Sequence, residues 1–426
     1  MINEDSVRAV EAAQWTPHFI KPLYDSYCFS QIPRLIRSAL GSAHDADAST
    51  HLLGPLAAPY DRVVLFCIDG FGWRFFAQYY DKYPFLQRIV RDGVVCKLTS
   101  QFPSTTAAHV TAIHTGLPVG QSGVYEWFYY EPRLDTIIAP LLFSFAGDKE
   151  RNTLLQANIA PDALYPRDTL YEALREQGVR SFVFQHRDYT PSPYNDVVCR
   201  GAHAVPYKTL PEALAALTDI LLEDTERSYY FLYFDGIDAI GHRHGPASPH
   251  VEAEIDTFLT AMERAFHRHV AGRLRNTLFL MTADHGQAAI DPATTIYLNR
   301  QLPHLATFMQ TNKAGRLLVP AGSCRDMFLH IKDEHLDEAQ ATLQDHLAGR
   351  AEVYRTTDLI DQRFFGTDHP SPVLLGRVGN LVILPYEHES VWWYEPDRFD
   401  QHYFGHHGGL TRPEMETELL AQRYPC

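Results

Sequence analysis

The stretch 62–70 reads RVVLFCIDG, and it predicts the fold. It is a nearly continuous apolar run that ends in Asp69-Gly70, and such runs are typical of strands covered on both faces. Helical patterns alternate with this run and with three similar ones, which predicts an α/β fold whose mostly parallel central sheet is flanked by helices. The other strand runs are VRSFVFQ (179–185), YYFLYFDG (229–236) and TLFLMTADHG (277–286), and the helical patterns are DTLYEALREQG (168–178), LPEALAALTDILLE (210–223) and HVEAEIDTFLTAMERAFHRHV (250–270).

Boundaries follow from a change of pattern along the chain. In the first helical pattern, Asp168 is predicted as the N-cap and Gly178 as the C-terminal stop. The runs CRDMFLHIK (324–332), HLDEAQATLQDHLAG (335–349), AEVYRTTDLI (351–360) and RVGNLVILPY (377–386) predict a small α+β insert of βαββ type. We expect an N-terminal extension at 1–60, a core at 61–290 and 400–426, and a cap-like insert at 291–399. RPEMETELLAQRY (412–424) is predicted as a last short helix.

Composition narrows the class of protein. Lys and Arg total 37 against 52 Asp and Glu, and the formal net charge of -15 argues against binding to nucleic-acid polymers or anionic membranes. No apolar run reaches the roughly 18–20 residues of a membrane span. The N-terminal stretch lacks the apolar core of a signal peptide, and a cytoplasmic location is expected. The cysteines predict isolated thiols in a reducing compartment, because they are scattered with no CxxC pair: Cys28, Cys67, Cys96, Cys199, Cys324 and Cys426.

Carboxylates, imidazoles and hydroxyls gather in five short clusters. Ligands of such sheets bind beyond the carboxyl ends of the strands, and Asp69, Asp238 and Asp284 are predicted at three strand ends. Carboxylate and imidazole together suit Zn²⁺ or Mn²⁺, and two such ions can activate an oxygen nucleophile for phosphoryl displacement. The clusters are CIDGFG (Asp69), PSTTAAH (Thr105, Thr106), DAIGHRHGP (Asp238, His242, His244), TADHG (Asp284, His285) and GHHGG (His406, His407).

Each cluster taken alone has an ordinary structural explanation. Asp-Gly after a strand is usually a turn, and a threonine at the start of a helix is more often a cap than a nucleophile. The joint order is informative, because Asp, Thr, Asp-x-x-x-His, Asp-His and His-Gly follow one another along one chain.

This order resembles the type I phosphodiesterase/nucleotide pyrophosphatase family of the alkaline phosphatase superfamily, from about 63 to about 410. The family's motifs are matched by IDGFG, by Pro-Ser-x-Thr ending at Thr106, by Asp-x-x-Gly-His-x-x-Gly-Pro from 238, by Asp-His-Gly from 284 and by His407-Gly408. The resemblance implies an alkaline-phosphatase-like sandwich with the insert as a cap. It also implies two divalent metal ions, Zn²⁺ or alternatively Mn²⁺, with one held by Asp238, His242 and His407 and the other by Asp69, Asp284, His285 and the Thr106 oxygen.

The resemblance further implies hydrolysis of a small phosphate ester such as a nucleotide. A metal-bound Thr106 hydroxyl would have a lowered pKa, attack phosphorus and form a phospho-threonine intermediate. A helix that begins at this threonine would point backbone N–H groups at the phosphoryl oxygens.

Several alternatives remain open. Trp127 stands where many relatives have a phosphate-binding Asn, and His109 could supply the missing donor. The aromatic run of Tyr125, Trp127, Phe128, Tyr129 and Tyr130 could stack on a ring of the substrate or pack in the core. A phosphate monoesterase, a phosphomutase and a non-catalytic metal-dependent binding module are the alternative functions, and the oligomeric state is not predicted.

Overall fold

The computed structural model describes residues 1–367 and 369–424, which fold around a seven-stranded sheet in the order β2-β17-β9-β1-β8-β6-β7. The strands are β1 (Arg62–Ile68), β2 (Val94–Thr99), β3 (Tyr129–Glu131), β4 (Thr136–Ala139), β5 (Ser144–Phe145), β6 (Arg180–His186), β7 (His203–Tyr207), β8 (Ser228–Phe234), β9 (Thr277–Thr282), β10 (Ala288–Ala289), β11 (Ile296–Tyr297), β12 (Met327–Leu329), β13 (Ala351–Arg355), β14 (Leu381–Pro385), β15 (Val391–Trp392), β16 (Gly405–His406) and β17 (Glu416–Tyr424).

Helices cover both faces of this sheet and also lie in the segment 291–399 outside it. They are α1 (Glu4–Glu11), α2 (Ile32–Ala39), α3 (Ala46–Leu53), α4 (Trp73–Tyr79), α5 (Pro84–Asp92), α6 (Thr106–Thr115), α7 (Val119–Ser122), α8 (Leu170–Glu176), α9 (Pro193–Val198), α10 (Leu210–Glu223), α11 (Gly236–His244), α12 (Pro249–Ala261), α13 (Arg268–Val270), α14 (Leu298–Gln301), α15 (Leu336–His346), α16 (Thr356–Asp361), α17 (Pro372–Arg377) and α18 (Arg412–Met415).

The central strand β1 explains why the apolar run is continuous. Val63 and Leu65 belong to a hydrophobic core on one face of the sheet, whereas Val64 and Phe66 belong to a second core on the other face. β1 pairs in parallel with β8 and β9, and β6 pairs in parallel with β7 and β8. The predicted α/β fold with a mostly parallel, helix-flanked sheet is therefore confirmed.

The C-terminal segment corrects the sequence prediction. Only Arg412–Met415 is helical, and Glu416–Tyr424 is strand β17, which pairs antiparallel with β2 and β9. Its Leu419 and Leu420 lie in opposite cores, so both faces of the strand are buried and the polar–apolar alternation of a strand is hidden. Thr411 and Glu414 form a capping box that stabilises a single helical turn, and the chain then continues as strand β17.

Helix ends differ in detail from the predictions. The N-cap of α8 is Thr169 and not Asp168, because the Thr169 hydroxyl accepts the Glu172 backbone N–H at 3.1 Å. Gly178 follows the C-cap with φ +73°, as a C-terminal stop requires. The helix predicted over 250–270 is α12 and α13 joined by a π-helical turn at Met262–His267.

The segments outside the main sheet pack against the same core. Val10 and Ile32 of the first sixty residues share one hydrophobic core with Leu65 of β1 and Phe328 of β12. Within 291–399, β12, β14 and β13 form a three-stranded antiparallel sheet with α15 between β12 and β13 in the chain. The division into extension, core and cap stays a prediction. Among the described residues, no helix has both the length and the apolar character that a bilayer crossing requires.

Gly93 tests the placement of β17. A Cβ at this residue would lie 2.1 Å from the Ala421 carbonyl oxygen on β17. We expect Gly93→Ala to lower the free energy of unfolding by about 1–3 kcal/mol, because this backbone contact leaves no room for a methyl group. Gly376→Ala is the matched control, since the nearest atom to a Cβ there is a Pro132 carbon at 3.4 Å. Denaturant unfolding measures both; equal stability of the two variants would contradict the placement of β17.

Candidate active site

The three aspartates lie at one edge of the sheet, two of them after strands and one in a helix. Asp69 directly follows β1, and Asp284 lies two residues beyond β9. Asp238 is not at a strand end as predicted: Asp235 follows β8, and Asp238 lies in the first turn of α11. The helix carries Asp238 and His242 at i and i+4, which places both side chains on one helix face. All three aspartates are buried.

The two neighbouring threonines have different positions at the start of α6. Thr105 is the N-cap residue, with extended backbone and no side-chain capping bond, and Thr106 is the first residue of the helix. The Thr106 hydroxyl donates to Asp69 Oδ2 at 3.3 Å and lies 3.2 Å from His285 Nε2. The Thr106 hydroxyl therefore faces the cluster of candidate ligands.

The first predicted ligand set is assembled at short distances. His242 Nε2 lies 3.2 Å from Asp238 Oδ2 and 3.2 Å from His407 Nε2. His407 Nε2 lies 3.8 Å from Asp238 Oδ1. Gln287 donates to Asp238 Oδ1 and, at 3.0 Å, to the Asp238 carbonyl oxygen, which fixes the orientation of this aspartate.

The second predicted ligand set is equally compact. His285 Nε2 lies 3.4 Å from Asp69 Oδ1 and 3.4 Å from Asp284 Oδ2. The backbone N–H groups of Gly70 and His285 donate to Asp284 Oδ1 at 3.2 and 3.0 Å. The two sets adjoin, because the rings of His285 and His407 stack with centroids 3.6 Å apart. The donor atoms of Asp238, His285 and His407 also lie within 4.8 Å of one another.

Hydrogen bonds fix the tautomer of the three candidate histidine ligands. Nδ1 of His242 lies 2.8 Å from the Gly405 carbonyl oxygen, Nδ1 of His285 lies 3.0 Å from that of Gly286, and Nδ1 of His407 lies 2.9 Å from that of Ser104. A carbonyl oxygen only accepts, so each Nδ1 carries the hydrogen and each neutral ring keeps its lone pair on Nε2. The Nε2 atoms of His242 and His407 lie 3.2 Å apart, and both face the Asp238 carboxylate.

The electrostatics of the cluster call for cations. Burial and then the neighbouring Asp284 raise the pKa of Asp69 well above its usual value, and burial also raises the pKa of Asp284. Asp69 Oδ1 and Asp284 Oδ2 are buried without a hydrogen-bond partner. Among the described residues, no lysine or arginine pairs with either carboxylate. Carboxylate oxygens and imidazole nitrogens are the ligands that Zn²⁺ and Mn²⁺ accept, so the residues present fit two divalent ions.

A cavity of about 600 Å³ opens over this cluster. Asp69, Thr106, Asp238, His242 and His407 lie in its wall. The lining also includes an aromatic wall, formed by side chains from the loop after α7 and from the segment 391–403: Trp127, Phe128, Trp392, Phe399 and Tyr403.

The aromatic run at 125–130 serves two purposes. Tyr125 and Tyr129 are fully buried, and their rings stack with centroids 5.3 Å apart, so these two pack in the core. Trp127 and Phe128 line the cavity, and Trp127 is 38% exposed. The run is therefore partly core and partly cavity wall.

His109 does not supply a donor to the cavity, so that suggestion is wrong. Its Nε2 accepts the Gln101 backbone N–H and lies 2.8 Å from the Ser100 hydroxyl, and its Nδ1 lies 2.7 Å from the Thr105 carbonyl oxygen. Burial lowers the pKa of this ring to about 3. His109 ties the loop before α6 to the helix.

Two residues of the site had not been singled out in the sequence. Tyr233 donates its hydroxyl hydrogen to Asp69 Oδ2, and Gln287 holds Asp238. Tyr233 belongs to the apolar strand run and Gln287 follows the Asp-His-Gly motif, so proximity to the motifs was the only signal for them. Neither Tyr233 nor Gln287 belongs to a recognisable sequence motif.

A protein family and several known proteins are similar to this chain in sequence. The model of the family described as type I phosphodiesterase/nucleotide pyrophosphatase matches residues 63–410, most of the chain. Venom phosphodiesterase CdcPDE from Crotalus durissus collilineatus is 22% identical over 60% of this chain and 30% of that protein. Ectonucleotide pyrophosphatase/phosphodiesterase family member 1 from Rattus norvegicus is 24% identical over 56% of this chain and 25% of that protein. The matches thus span less than a third of the length of these relatives.

Solved structures share the fold. An inactive variant of murine ectonucleotide pyrophosphatase/phosphodiesterase 5 in complex with AMP aligns with a TM-score of 0.62 and 18% identity, covering 84% of this chain and 87% of that chain. Phosphonoacetate hydrolase from Sinorhizobium meliloti 1021 in complex with phosphonoacetate aligns with a TM-score of 0.58 and 19% identity, covering 87% and 92%. The alkaline-phosphatase-like architecture is therefore confirmed, and the chain belongs to the type I phosphodiesterase/nucleotide pyrophosphatase family.

Proposed function

We propose that this chain is a two-metal-dependent phosphodiesterase of the nucleotide pyrophosphatase type, with Thr106 as the nucleophile. One observation carries the proposal: the Thr106 hydroxyl lies within 3.3 Å of both Asp69 and His285, at the first residue of a ten-residue helix. The roles of Asp69, Thr106, Asp284 and His285 at one ion, and of Asp238, His242 and His407 at the other, are part of this proposal. The geometry supports the proposal because the carboxylate oxygens and imidazole nitrogens of each set lie close together.

The proposed reaction depends on the side chains of Thr106, Asp69 and Tyr233. When bound, Zn²⁺ or Mn²⁺ supplies a lowered pKa for the threonine hydroxyl and positive charge against the phosphoryl oxygens. Asp69 accepts the hydrogen bond of Thr106 and orients its oxygen toward the cavity. Tyr233 in turn donates to the same Asp69 oxygen and holds the carboxylate in place. Attack by the Thr106 oxygen on phosphorus forms a phospho-threonine ester and releases the first alcohol or phosphate, and water then hydrolyses the ester.

The start of α6 favours a negatively charged phosphoryl group. The first N–H groups of a helix have no partner within the helix and point toward its N-terminus. Ala107 and Ala108 follow Thr106 and are buried, so no bulky side chain blocks the approach to the backbone. We assign these N–H groups to the nonbridging oxygens of the substrate.

The substrate is proposed to be a small phosphodiester or pyrophosphate with a ring substituent. The aromatic wall formed by Trp127, Phe128 and Trp392 suits such a substituent, and the murine structural relative was solved with AMP. A cytoplasmic, reducing compartment is proposed from cysteine usage, because the five cysteines that the structure describes are free. Cys426 lies outside the described residues.

The two-ion assignment can be tested with neighbouring histidines of α11. We expect about two divalent ions per wild-type chain, and about one for His242→Ala, because this variant loses a ligand of one set. His244→Ala is the matched control, since the His244 ring stacks on His250, with centroids 3.8 Å apart. Elemental analysis after dialysis against Zn²⁺ or Mn²⁺ measures the stoichiometry; equal metal content in all three proteins would contradict the assignment.

The nucleophile can be tested by removing or keeping one hydroxyl. Thr106→Ala should lower turnover of bis-p-nitrophenyl phosphate by at least about 10³-fold with both ions still bound, because no other hydroxyl takes its position. Thr106→Ser should retain measurable turnover, since it keeps the oxygen. Thr257→Ala, on an exposed face of α12, is the control.

Three outcomes separate the alternative functions. Turnover of the diester above that of p-nitrophenyl phosphate supports the proposal, whereas the reverse order would assign the chain to phosphate monoester hydrolysis. Bound ions without turnover of either ester would indicate a binding module.

Near-normal turnover by Thr106→Ala with both ions present would exclude this threonine as the nucleophile.

A further inference from the structure

A polar corner of the cavity, formed by Arg151, Gln185 and Tyr189, lies at the end of β6. The strands β1, β8 and β6 are neighbours in the sheet and run in parallel, so their carboxyl ends share one edge. At about 4.8 Å per strand, the end of β6 lies about 10 Å from Asp69 at the end of β1. The function proposed above does not use the side chains of this corner.

Hydrogen bonds around Gln185 fix the orientation of its side-chain amide. Asn195 Nδ2 lies 2.7 Å from the Tyr189 carbonyl oxygen and 2.7 Å from Gln185 Oε1. A carbonyl oxygen only accepts, so the Asn195 atom is the donating nitrogen and the Gln185 atom that faces it is the accepting oxygen. The Gln185 Nε2 group is left as a donor, and among the described residues it has no acceptor. Because the side chain is only 5% exposed and lines the cavity, this donor is available to a ligand there.

Arg151 brings a positive charge to the same corner. Among the described residues, the lysine and arginine side chains that line the cavity are Arg151 and Arg398. Arg398 is already paired, because its Nη1 donates to Glu395 Oε1 at 2.7 Å and its Nη2 donates to the Ala146 carbonyl oxygen at 2.7 Å. The Arg151 side chain has no ion pair or hydrogen bond within the described part of the chain, and its guanidinium carbon lies 5.1 Å from the centroid of the Tyr189 ring. The guanidinium of Arg151 is therefore free to bind an anion.

Tyr189 connects this corner to the candidate metal ligands. Its hydroxyl donates to Asp235, which follows β8, and this bond holds the ring in place. The centroid of the Tyr189 ring lies 6.3 Å from that of Tyr233, and the Tyr233 hydroxyl donates to Asp69. Two tyrosine rings thus lie between Arg151 and Asp69, and this span suits one ring substituent of a phosphodiester.

Building on the proposed function, we propose that Arg151 and Gln185 bind a carboxylate of the substrate, which is then a phosphodiester with an acidic ring substituent. The guanidinium of Arg151 and Nε2 of Gln185 are donors only, so the group that they bind must be an acceptor. A guanidinium presents its N–H groups as a fork that matches the two oxygens of a carboxylate. Asp235 also lines the cavity, and its negative charge favours a singly charged carboxylate over a doubly charged phosphate group.

Two substrates that differ in one charge test this site. Bis-p-nitrophenyl phosphate and p-nitrophenyl 4-carboxyphenyl phosphate both release p-nitrophenolate, and the ring that stays on phosphorus carries a neutral nitro group in the first and a carboxylate in the second. Arg151→Gln should lower the ratio of kcat/KM for the carboxylate substrate over the nitro substrate about tenfold, because charge-assisted hydrogen bonds are lost. Gln185→Glu should lower the same ratio, since it keeps the bond from Asn195 but replaces the donor with a carboxylate oxygen.

Arg398→Gln is the matched control. It removes a positive charge from the same cavity wall, but one that Glu395 already neutralises, so the ratio should stay at the wild-type value. An unchanged ratio in Arg151→Gln would overturn the proposal, as would an equal fall in Arg398→Gln, which would indicate a general effect of charge in the cavity. If Gln185→Glu does not fold, Arg151→Gln against Arg398→Gln decides.

A binding measurement separates this proposal from the proposed function. Failure of the wild type to hydrolyse either diester would count against the proposed function. The dissociation constants of the same two compounds, measured by calorimetry on the zinc-loaded proteins, would then decide the carboxylate site. Arg151→Gln should weaken binding of the carboxylate compound about tenfold relative to the nitro compound. Equal effects of Arg151→Gln on the two compounds would overturn the proposal.

Discussion

Buried aspartate oxygens without a hydrogen-bond partner lie beside three imidazole rings, and the rest of the site depends on this arrangement. Asp69 and Asp284 have oxygens without a partner, and the Nε2 atoms of His242 and His407 face each other at 3.2 Å. Burying such groups together costs free energy unless cations join them. The two divalent ions that we propose would stabilise this arrangement, because each ion would bind carboxylate oxygens and an imidazole nitrogen.

The fold produces this convergence by its topology. The parallel strands β1, β8 and β9 bring their carboxyl ends to the same edge, so Asp69, the start of α11 and Asp284 meet although the chain separates them widely. The late strand β17 inserts antiparallel beside β9, and the His407 loop precedes it. Ser104 then accepts from His407 and joins the loop before α6 to this last part of the chain.

Local signals were sufficient for the parts of the structure that depend on neighbouring residues. The continuous run that ends at Asp69 predicted a central strand, and the ordered motifs predicted that these aspartates and histidines belong to one site with Thr106 at a helix start. Their roles as metal ligands stay a prediction. The sequence did not reveal β17, because burial of both its faces removes the alternation that identifies a strand. It also could not show that the hydrogen bonds of His109 are all made locally, to Ser100, Gln101 and Thr105, since these contacts form only in the folded chain.

The central claim is that two divalent cations lie between these ligand sets and hold Thr106 between them and the substrate. Anomalous X-ray scattering from crystals of the chain grown with Zn²⁺ or Mn²⁺ tests it most directly. The account predicts two peaks about 3.5–4 Å apart, one beside Asp69, Asp284 and Thr106 and the other beside Asp238, His242 and His407. A single peak elsewhere on the molecule, or no peak at this edge of the sheet, would contradict it.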